Sequence, residues 1–376
     1  MRFQPFELET YLSRYEQVVR YNYSESGVQP LSLGELLELA GQGMDSLADT
    51  SLNYPEVNGQ RALRERIASR YPGAGADNVL VTVGASEANL LAATTLLAPG
   101  DEVVALSPAY LQFTGIATNL GFPVRWVALR EEAGWALDVE ALNATITPRT
   151  RVVAVVNPNN PTGRILTDAE MNALVAAAER VGAWLLADEV YAGAERDRDT
   201  ETPGFYGRYP RVVALNSLSK AYGLPGLRIG WMVAPRETIQ ALWQRHEYAV
   251  ISTTALANRL ALLALDDAVR PRIIARTRRL VRKGFGLLEQ CLAHHQGIFS
   301  VVPPQASALS FVRYELPLSS RELAARLREQ DVLMVPGECF GLDKHLRIAS
   351  ALPADYLIPG LERLDTLVEN LKVQQD

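Results

Sequence analysis

Short, wholly apolar runs alternate along the chain with longer stretches of helical period. Val79–Val83 stops at Gly84, Glu102–Leu106 at Ser107-Pro108, Arg151–Val156 at Asn157-Pro158, Ala183–Ala187 at Asp188-Glu189, and Arg211–Leu215 at Asn216-Ser217. Aliphatic runs with no polar alternation predict strands covered on both faces, the habit of a mostly parallel sheet. Between them, Glu87–Leu97 is rich in Ala and Leu. Thr167-Asp168-Ala169-Glu170 has the Thr-x-x-Glu spacing of a capping box, opening a helix to Val181 that Gly182 is placed to end. Strand and helix in turn predict an α/β domain over residues 46–245.

Beyond that domain the pattern changes. Thr254–Cys291 reads as one long, arginine-rich helix. After Pro303-Pro304 the order is strand (Ala308–Tyr314), helix (Ser320–Gln330), strand (Val332–Val335), strand (His345–Ala349), helix (Pro359–Leu371). This predicts a smaller α+β domain made of residues 246–376, with a helix and loop from residues 1–45 packed against it. A chain of 376 residues is long enough for two such cores.

Composition removes several function classes. A net charge of −6 carries no basic footprint for nucleic acid. No apolar run approaches the roughly 20 residues that cross a bilayer, so no membrane is expected. The opening Met1-Arg2-Phe3-Gln4-Pro5-Phe6-Glu7 lacks the apolar region of a signal peptide, and a cytoplasmic location is expected. Cys291 and Cys339 form neither a disulfide framework nor a metal pattern, and the four histidines lack ligand spacing, so no metal is expected. The basic residues are nearly all arginine. Chemistry that needs a lysine has only Lys220, Lys283, Lys344 and Lys372 to draw on.

In an open α/β sheet ligands bind at the carboxyl ends of the strands, and the polar clusters fall there. Gly84-Ala85-Ser86 follows a strand and opens a helix, a place for phosphate; alternatively Ser86 is only the helix cap. Asp188 ends an apolar run, where a carboxylate needs a partner: a pyridinium nitrogen, or else a nearby arginine or a loop that it caps. Lys220 follows a strand in Ser-x-Ser-Lys, with Arg228 after it as a cation and a bidentate phosphate ligand. The other reading of Lys220 is a solvated surface lysine. Lys283 in a basic helix, Lys344 in a polar turn and Lys372 in the tail fit that second reading better. Asn157-Pro158-Asn159-Asn160-Pro161-Thr162-Gly163 is a turn by composition and would present Asn160 as a donor.

The strings NPNNPTG (Asn157–Gly163), ADEVY (Ala187–Tyr191), SLSKAYGLPGLRIGW (Ser217–Trp231) and VPGECFGLDKHLRIA (Val335–Ala349) occur in the order and approximate spacing of a known family. Over roughly residues 50–350 the chain resembles the fold-type I pyridoxal-phosphate (PLP) enzymes, aminotransferase class I/II. The resemblance implies a large domain with a mostly parallel sheet flanked by helices plus a smaller α+β domain. It implies PLP as cofactor, and Lys220 as the Schiff-base lysine and proton shuttle. Asp188 would pair with the ring nitrogen. Tyr191, with Asn160 beside it, would donate to the ring's phenolic oxygen, and Tyr110 would stack on the ring. Ala85, Ser86, Ser217 and Arg228 would hold the phosphate. Tyr54 would reach a partner subunit's phosphate in a homodimer, and Arg347 would clamp the substrate α-carboxylate.

The activity so implied is transamination between an L-α-amino acid and a 2-oxo acid. The N-terminal loop Tyr23-Ser24-Glu25-Ser26-Gly27-Val28 departs from common transaminases. That loop and SKAYGLPGLR are similar to a subgroup containing capreomycidine synthase and PLP enzymes of lincosamide-type pathways. The subgroup implies an alternative, a PLP-dependent lyase, oxidative deaminase or cyclase of specialised amino-acid metabolism. NPNNPTG is nearer to ordinary transaminases. Within the loop, Gly27 permits close approach to substrate. Glu25 either selects against acidic substrates and helps bind a polar or basic side chain, or is a solvated loop residue.

Overall fold

From the N-terminus, the chain forms helix Glu7–Tyr15 and a two-residue strand, β1 (Tyr21–Asn22), before the apolar runs begin. The computed structural model describes residues 3–373; the outermost residues of the expected smaller domain, 1–2 and 374–376, lie outside them. The apolar runs become β2 (Val79–Val83), β3 (Glu102–Ser107), β6 (Thr150–Val156), β7 (Trp184–Asp188) and β8 (Val212–Ser217). Between β3 and β6 lie β4 (Val124–Arg130) and β5 (Ala136–Leu137), and after β8 comes β9 (Ile229–Val233). Together they form one eight-stranded sheet in the order β2-β9-β8-β7-β6-β3-β4-β5.

The central pairs β8–β7, β7–β6, β6–β3 and β3–β4 are parallel. Strand β9 is antiparallel to both β8 and β2. Strand β2 therefore runs the same way as β8, and the loops after β2, β3, β6, β7 and β8 open on one rim. The absence of polar alternation has the expected cause: Val152, Val153, Leu185, Val213 and Ala214 are all fully buried, covered by helices on both faces. Helix Asp168–Val181 starts with the Thr167/Glu170 capping box and stops at Gly182 in the left-handed conformation.

The remaining strands are β10 (Phe299–Val301), β11 (Leu309–Tyr314), β12 (Val332–Leu333), β13 (Val335–Pro336) and β14 (His345–Ala349). Strands β10, β11, β14 and β13 form a four-stranded antiparallel sheet, while β12 pairs in parallel with β1. The expected single strand Val332–Val335 is thus two. Val332, Leu333, Met334 and Val335 are all fully buried, so the chain has apolar partners on two sides and passes from one sheet to the other.

Two further expectations need correction. The single helix over Thr254–Cys291 is broken into Ala255–Ala264 and Arg270–Ala293, since Pro271 stands in the first turn of the second helix, where it is tolerated. The last helix begins at Ala354, ahead of Pro359, which lies inside it. The Tyr23 hydroxyl donates to the Tyr356 and Leu357 carbonyls at 2.8 and 2.7 Å, so a side chain from the N-terminal segment is inserted beside the proline turn.

That insertion needs Gly360. A Cβ there would stand 2.0 Å from the Tyr23 hydroxyl and 2.5 Å from its ring carbon. Gly360→Ala is expected to lower unfolding free energy by about 1–3 kcal/mol, the usual effect of overpacking. Gly286→Ala is the control, because its Cβ would meet nothing within 4 Å, and helix propensity alone favours Ala by about 1 kcal/mol. Denaturant titration of both variants checks the contrast; equal stabilities would remove the packing argument.

Candidate active site

The rim encloses a cavity of about 340 Å3 lined by the large domain and by Glu9, Glu25 and Ser26 of the N-terminal segment. Asp188, the last residue of β7, is 8% exposed, and its Oδ1 accepts the Val190 N–H at 3.2 Å. Burial pushes its carboxyl up to about 7, against the smaller opposing effects of that N–H and of Lys220. No arginine pairs with Asp188 among the described residues, and the Val190 N–H bond shows it capping the loop after β7. The carboxylate faces the cavity as a buried acceptor suited to a cation.

On the neighbouring strand, the turn after β6 brings Asn160 between two other groups. Its Nδ2 donates to the Tyr191 hydroxyl at 3.2 Å, and its Oδ1 accepts from Arg347 Nη1 at 3.3 Å. Arg347 comes from β14 of the smaller sheet and is fully buried. Its Nη2 donates to the Ser24 carbonyl at 2.5 Å, while its Nε is buried without a partner among the described residues. A buried guanidinium with a donor unmatched fits a planar carboxylate.

Lys220 stands in the turn after β8 and lines the cavity. Its Nζ lies 3.2 Å from Glu25 Oε1. The other three lysines do not line the cavity. Lys283 is exposed, Lys344 donates to the Leu316 and Leu318 carbonyls at 2.8 Å each, and Lys372 pairs with Glu369 at 2.7 Å.

Helix Gly84–Leu96 starts at the rim. Ala85, Ser86, Ser217, Ser219 and Arg228 all line the cavity, and Arg228 Nη1 lies 3.5 Å from Ser219 Oγ. The helix is capped by Val83 without a side-chain bond, so Ser86 is not the cap. Glu87 satisfies that end instead: its Oε2 accepts the Val83 N–H at 2.6 Å. Its Oε1 lies 2.7 Å from His246 Nδ1, and His246 Nε2 lies 2.9 Å from the Val57 carbonyl. This buried brace was not visible in sequence, since 159 residues separate Glu87 from His246.

Tyr110 lines the cavity, and its hydroxyl donates to Glu9 Oε1 at 2.9 Å. Glu9, Ser26, Gln112 and Ser219 also line it and were not singled out from the sequence. Only Ser219 carried a signal, as the second serine of Ser-x-Ser-Lys. Glu25 pairs with Lys220 while its side chain stays 44% exposed, and Gly27 packs behind it. Tyr54 does not belong to this cavity in its own chain. It is 82% exposed and lines a separate groove with Leu52, Asn53, Pro55 and residues 252–256.

These residues fit pyridoxal phosphate on the structure's own terms. A buried carboxylate without a cation suits the ring nitrogen. A helix N-terminus with two serines and an arginine suits the phosphate. A lysine amine between them suits the carbonyl carbon. The chain belongs to the aminotransferase class I and II family, whose model matches residues 31–364, and the cofactor of this fold-type I class is PLP. It is similar to capreomycidine synthase of Streptomyces vinaceus, at 34% identity over 94% of this chain and 91% of that protein. It is also 32% identical to arginine–pyruvate transaminase AruH of Pseudomonas aeruginosa, over 85% of this chain and 84% of that one. A solved PLP-dependent aminotransferase from Streptococcus suis superposes with a TM-score of 0.92 at 32% identity, covering 99% of both chains.

Burial of Asp188 has a consequence for stability. A carboxyl raised from 3.8 to about 7 on folding lends stability that is fully present below 3.8 and is lost as pH rises through about 7. In cofactor-free protein, Asp188→Asn is expected to flatten the decline of unfolding free energy between about pH 5 and 8, gaining on the order of 2–4 kcal/mol at the upper end. Glu189, raised to about 7 by burial, keeps part of the slope in the variant. Denaturant titrations across that range check this; parallel curves would mean that Asp188 is already compensated.

Proposed function

We propose that the protein is a PLP-dependent aminotransferase that passes the amino group of an L-α-amino acid to a 2-oxo acid. The observation that carries this reading is that Lys220 and Asp188 line one cavity together with Asn160, to which the buried Arg347 donates at 3.3 Å. When bound, PLP supplies an electron sink for charge developing on the substrate Cα. Asp188, buried and facing the cavity, would hold a proton on the ring nitrogen and so deepen that sink. Tyr191, fixed by Asn160, donates a hydrogen bond to the phenolic oxygen, and Tyr110 covers the ring. Ala85, Ser86, Ser217 and Arg228 bind the phosphate. Arg347 and Asn160 bind the α-carboxylate and so orient the Cα–H toward Lys220, which takes and returns that proton. Gly27 and Glu25 border the substrate side chain. Glu9 and Glu25 both line the cavity, which disfavours acidic substrates and suits neutral or cationic ones, as does the similarity to an arginine transaminase.

A second reading, a PLP-dependent lyase, oxidative deaminase or cyclase, draws on the same residues and is favoured by the Tyr23–Val28 loop and the similarity to capreomycidine synthase. One experiment separates the two. Borohydride reduction of reconstituted protein is expected to fix the cofactor to the Lys220 peptide, and a panel of amino acids to convert unreduced enzyme to the pyridoxamine form with release of a 2-oxo acid. Ammonia or a cyclised product in place of that conversion selects the second reading; label on Lys283, Lys344 or Lys372 overturns the site.

We infer that the working unit is a homodimer in the cytoplasm, with a PLP domain over residues 46–245 and a smaller domain from 1–45 and 246–376. Two buried free cysteines suit a reducing compartment, and no helix among the described residues is long and apolar enough to cross a membrane. Leu52, Tyr54, Tyr248 and Ile251 are all exposed, Tyr248 at 97%, an apolar surface of the kind that a second copy covers. Tyr54 on that surface would reach the partner's phosphate. Sedimentation is expected to give a dimer, and Tyr54→Ala to bind PLP at least tenfold more weakly while keeping the monomer fold. A fully active monomer at assay concentration would remove this assignment.

A further inference from the structure

Glu25 does more at Lys220 than border a side-chain pocket. Its Oε1 lies 3.2 Å from Lys220 Nζ, across 195 residues of chain. The same oxygen accepts the Ser26 N–H at 2.9 Å and the Gly27 N–H at 3.3 Å, so the carboxylate is turned back over its own loop and pinned beside the lysine. Gly27 makes the approach possible. A Cβ there would stand 3.3 Å from the Ser219 carbonyl, so the loop would have to give by a few tenths of an ångström, and would be in ordinary contact with Lys220 Cδ at 3.9 Å. The loop is held from behind by the Tyr23 hydroxyl on the last helix and by Arg347 on the Ser24 carbonyl.

The groups facing Lys220 are Glu25 and Ser26 from the N-terminal loop, Tyr191 and Asp188 from the end of β7, and Arg347 from β14. Burial and the Arg347 cation both favour the neutral amine, the form an imine-forming lysine needs. Glu25, with help from Tyr191, overrides them and leaves the ammonium ion favoured beyond its ordinary range. Lys220 in turn, ahead of the opposing effect of burial, holds the Glu25 carboxyl down at about 2.

We propose that Glu25 is the counter-ion of Lys220, a positioning residue that holds the lysine nitrogen as the ammonium ion against the N-terminal loop whenever it is not joined to the cofactor. The inference rests on Lys220 being the cofactor lysine. Condensation with an aldehyde then starts with loss of one proton from Nζ to water. The neutral amine adds to the carbonyl carbon, and water leaves as the carbon–nitrogen double bond forms. When substrate displaces the lysine, Glu25 again stabilises the form that carries a proton, so the residue sets how readily Lys220 is released and recaptured.

The test uses cofactor-free protein and needs no turnover. Trace acetylation of Lys220 with acetic anhydride, read by peptide mass spectrometry from about pH 6 to 11, reports the neutral amine directly. Glu25→Gln is expected to move the Lys220 midpoint down by one pH unit or more, and Glu25→Asp to restore part of it. The exposed Lys283 peptide, measured in the same samples, should not move. Capture of added PLP at neutral pH, followed by visible absorbance, should be about tenfold faster in Glu25→Gln, the gain in neutral amine that one unit gives. An unmoved Lys220 midpoint, or a shift shared by Lys283, overturns the proposal. Borohydride label on another lysine would instead overturn the cofactor assignment, while the acetylation profile would still decide whether Glu25 governs Lys220.

Discussion

A carboxylate buried at the end of an apolar strand, with no cation of its own, is the constraint to which the rest of this site answers. Asp188 sits where β7 leaves the middle of the large sheet, flanked by β6 and β8, so it is exposed only toward the cavity and pairs with no arginine among the described residues. Left alone it favours its protonated form. On the proposed pairing with a cationic ring nitrogen, the cost carried by the cofactor-free state would be relieved on binding, a common arrangement where stability is given up for preorganised electrostatics.

The N-terminal segment joins the parts of the site that come from different elements. Three successive residues each make a different connection. The Tyr23 hydroxyl enters the proline turn of the last helix, the Ser24 carbonyl takes a hydrogen bond from Arg347, and Glu25 pairs with Lys220. Strand pairing between Tyr21–Asn22 and Val332–Leu333 fixes the register of all three. Arg347 and Lys220 are thereby tied to one strip of backbone.

The phosphate side is organised by a separate set of contacts. The first turn of helix Gly84–Leu96 leaves Ser86 to the cavity because Glu87 satisfies the preceding backbone N–H. His246 ties Glu87 to the Val57 carbonyl, three residues beyond Tyr54 on the exposed apolar surface. A buried histidine between an acid and a carbonyl has both nitrogens committed, which makes the loop stiff. It also links the segment near Tyr54 to the start of helix Gly84–Leu96 through one side-chain bridge.

Much of this was legible in the chain itself. Continuous apolar runs mark strands buried on two faces, and the central strands of the large sheet were found at or within a residue or two of their observed ends. The Thr167/Glu170 box and Gly182 marked their helix from local hydrogen bonding and backbone conformation alone. Site residues that directly follow a strand, Asp188, Asn160, Ser217 and Lys220, were visible because topology puts every such loop on one rim. Strands β4 and β9 were missed. Strand β4 lies next to the sheet edge, and its partly exposed residues break the apolar run, while β9 lies within a string read for its chemistry. The division of Val332–Val335 between two sheets, and the break after Ala264, depended on neighbours that local pattern does not contain. The same limit applied within the site. That Glu9 meets Tyr110, His246 braces Glu87, and Glu25 reaches Lys220 is decided by packing between segments 101, 159 and 195 residues apart. Local sequence determines which backbone forms and which groups sit at its ends; the charge state of a buried group depends on what folding brings against it from elsewhere, and only the tertiary structure decides that.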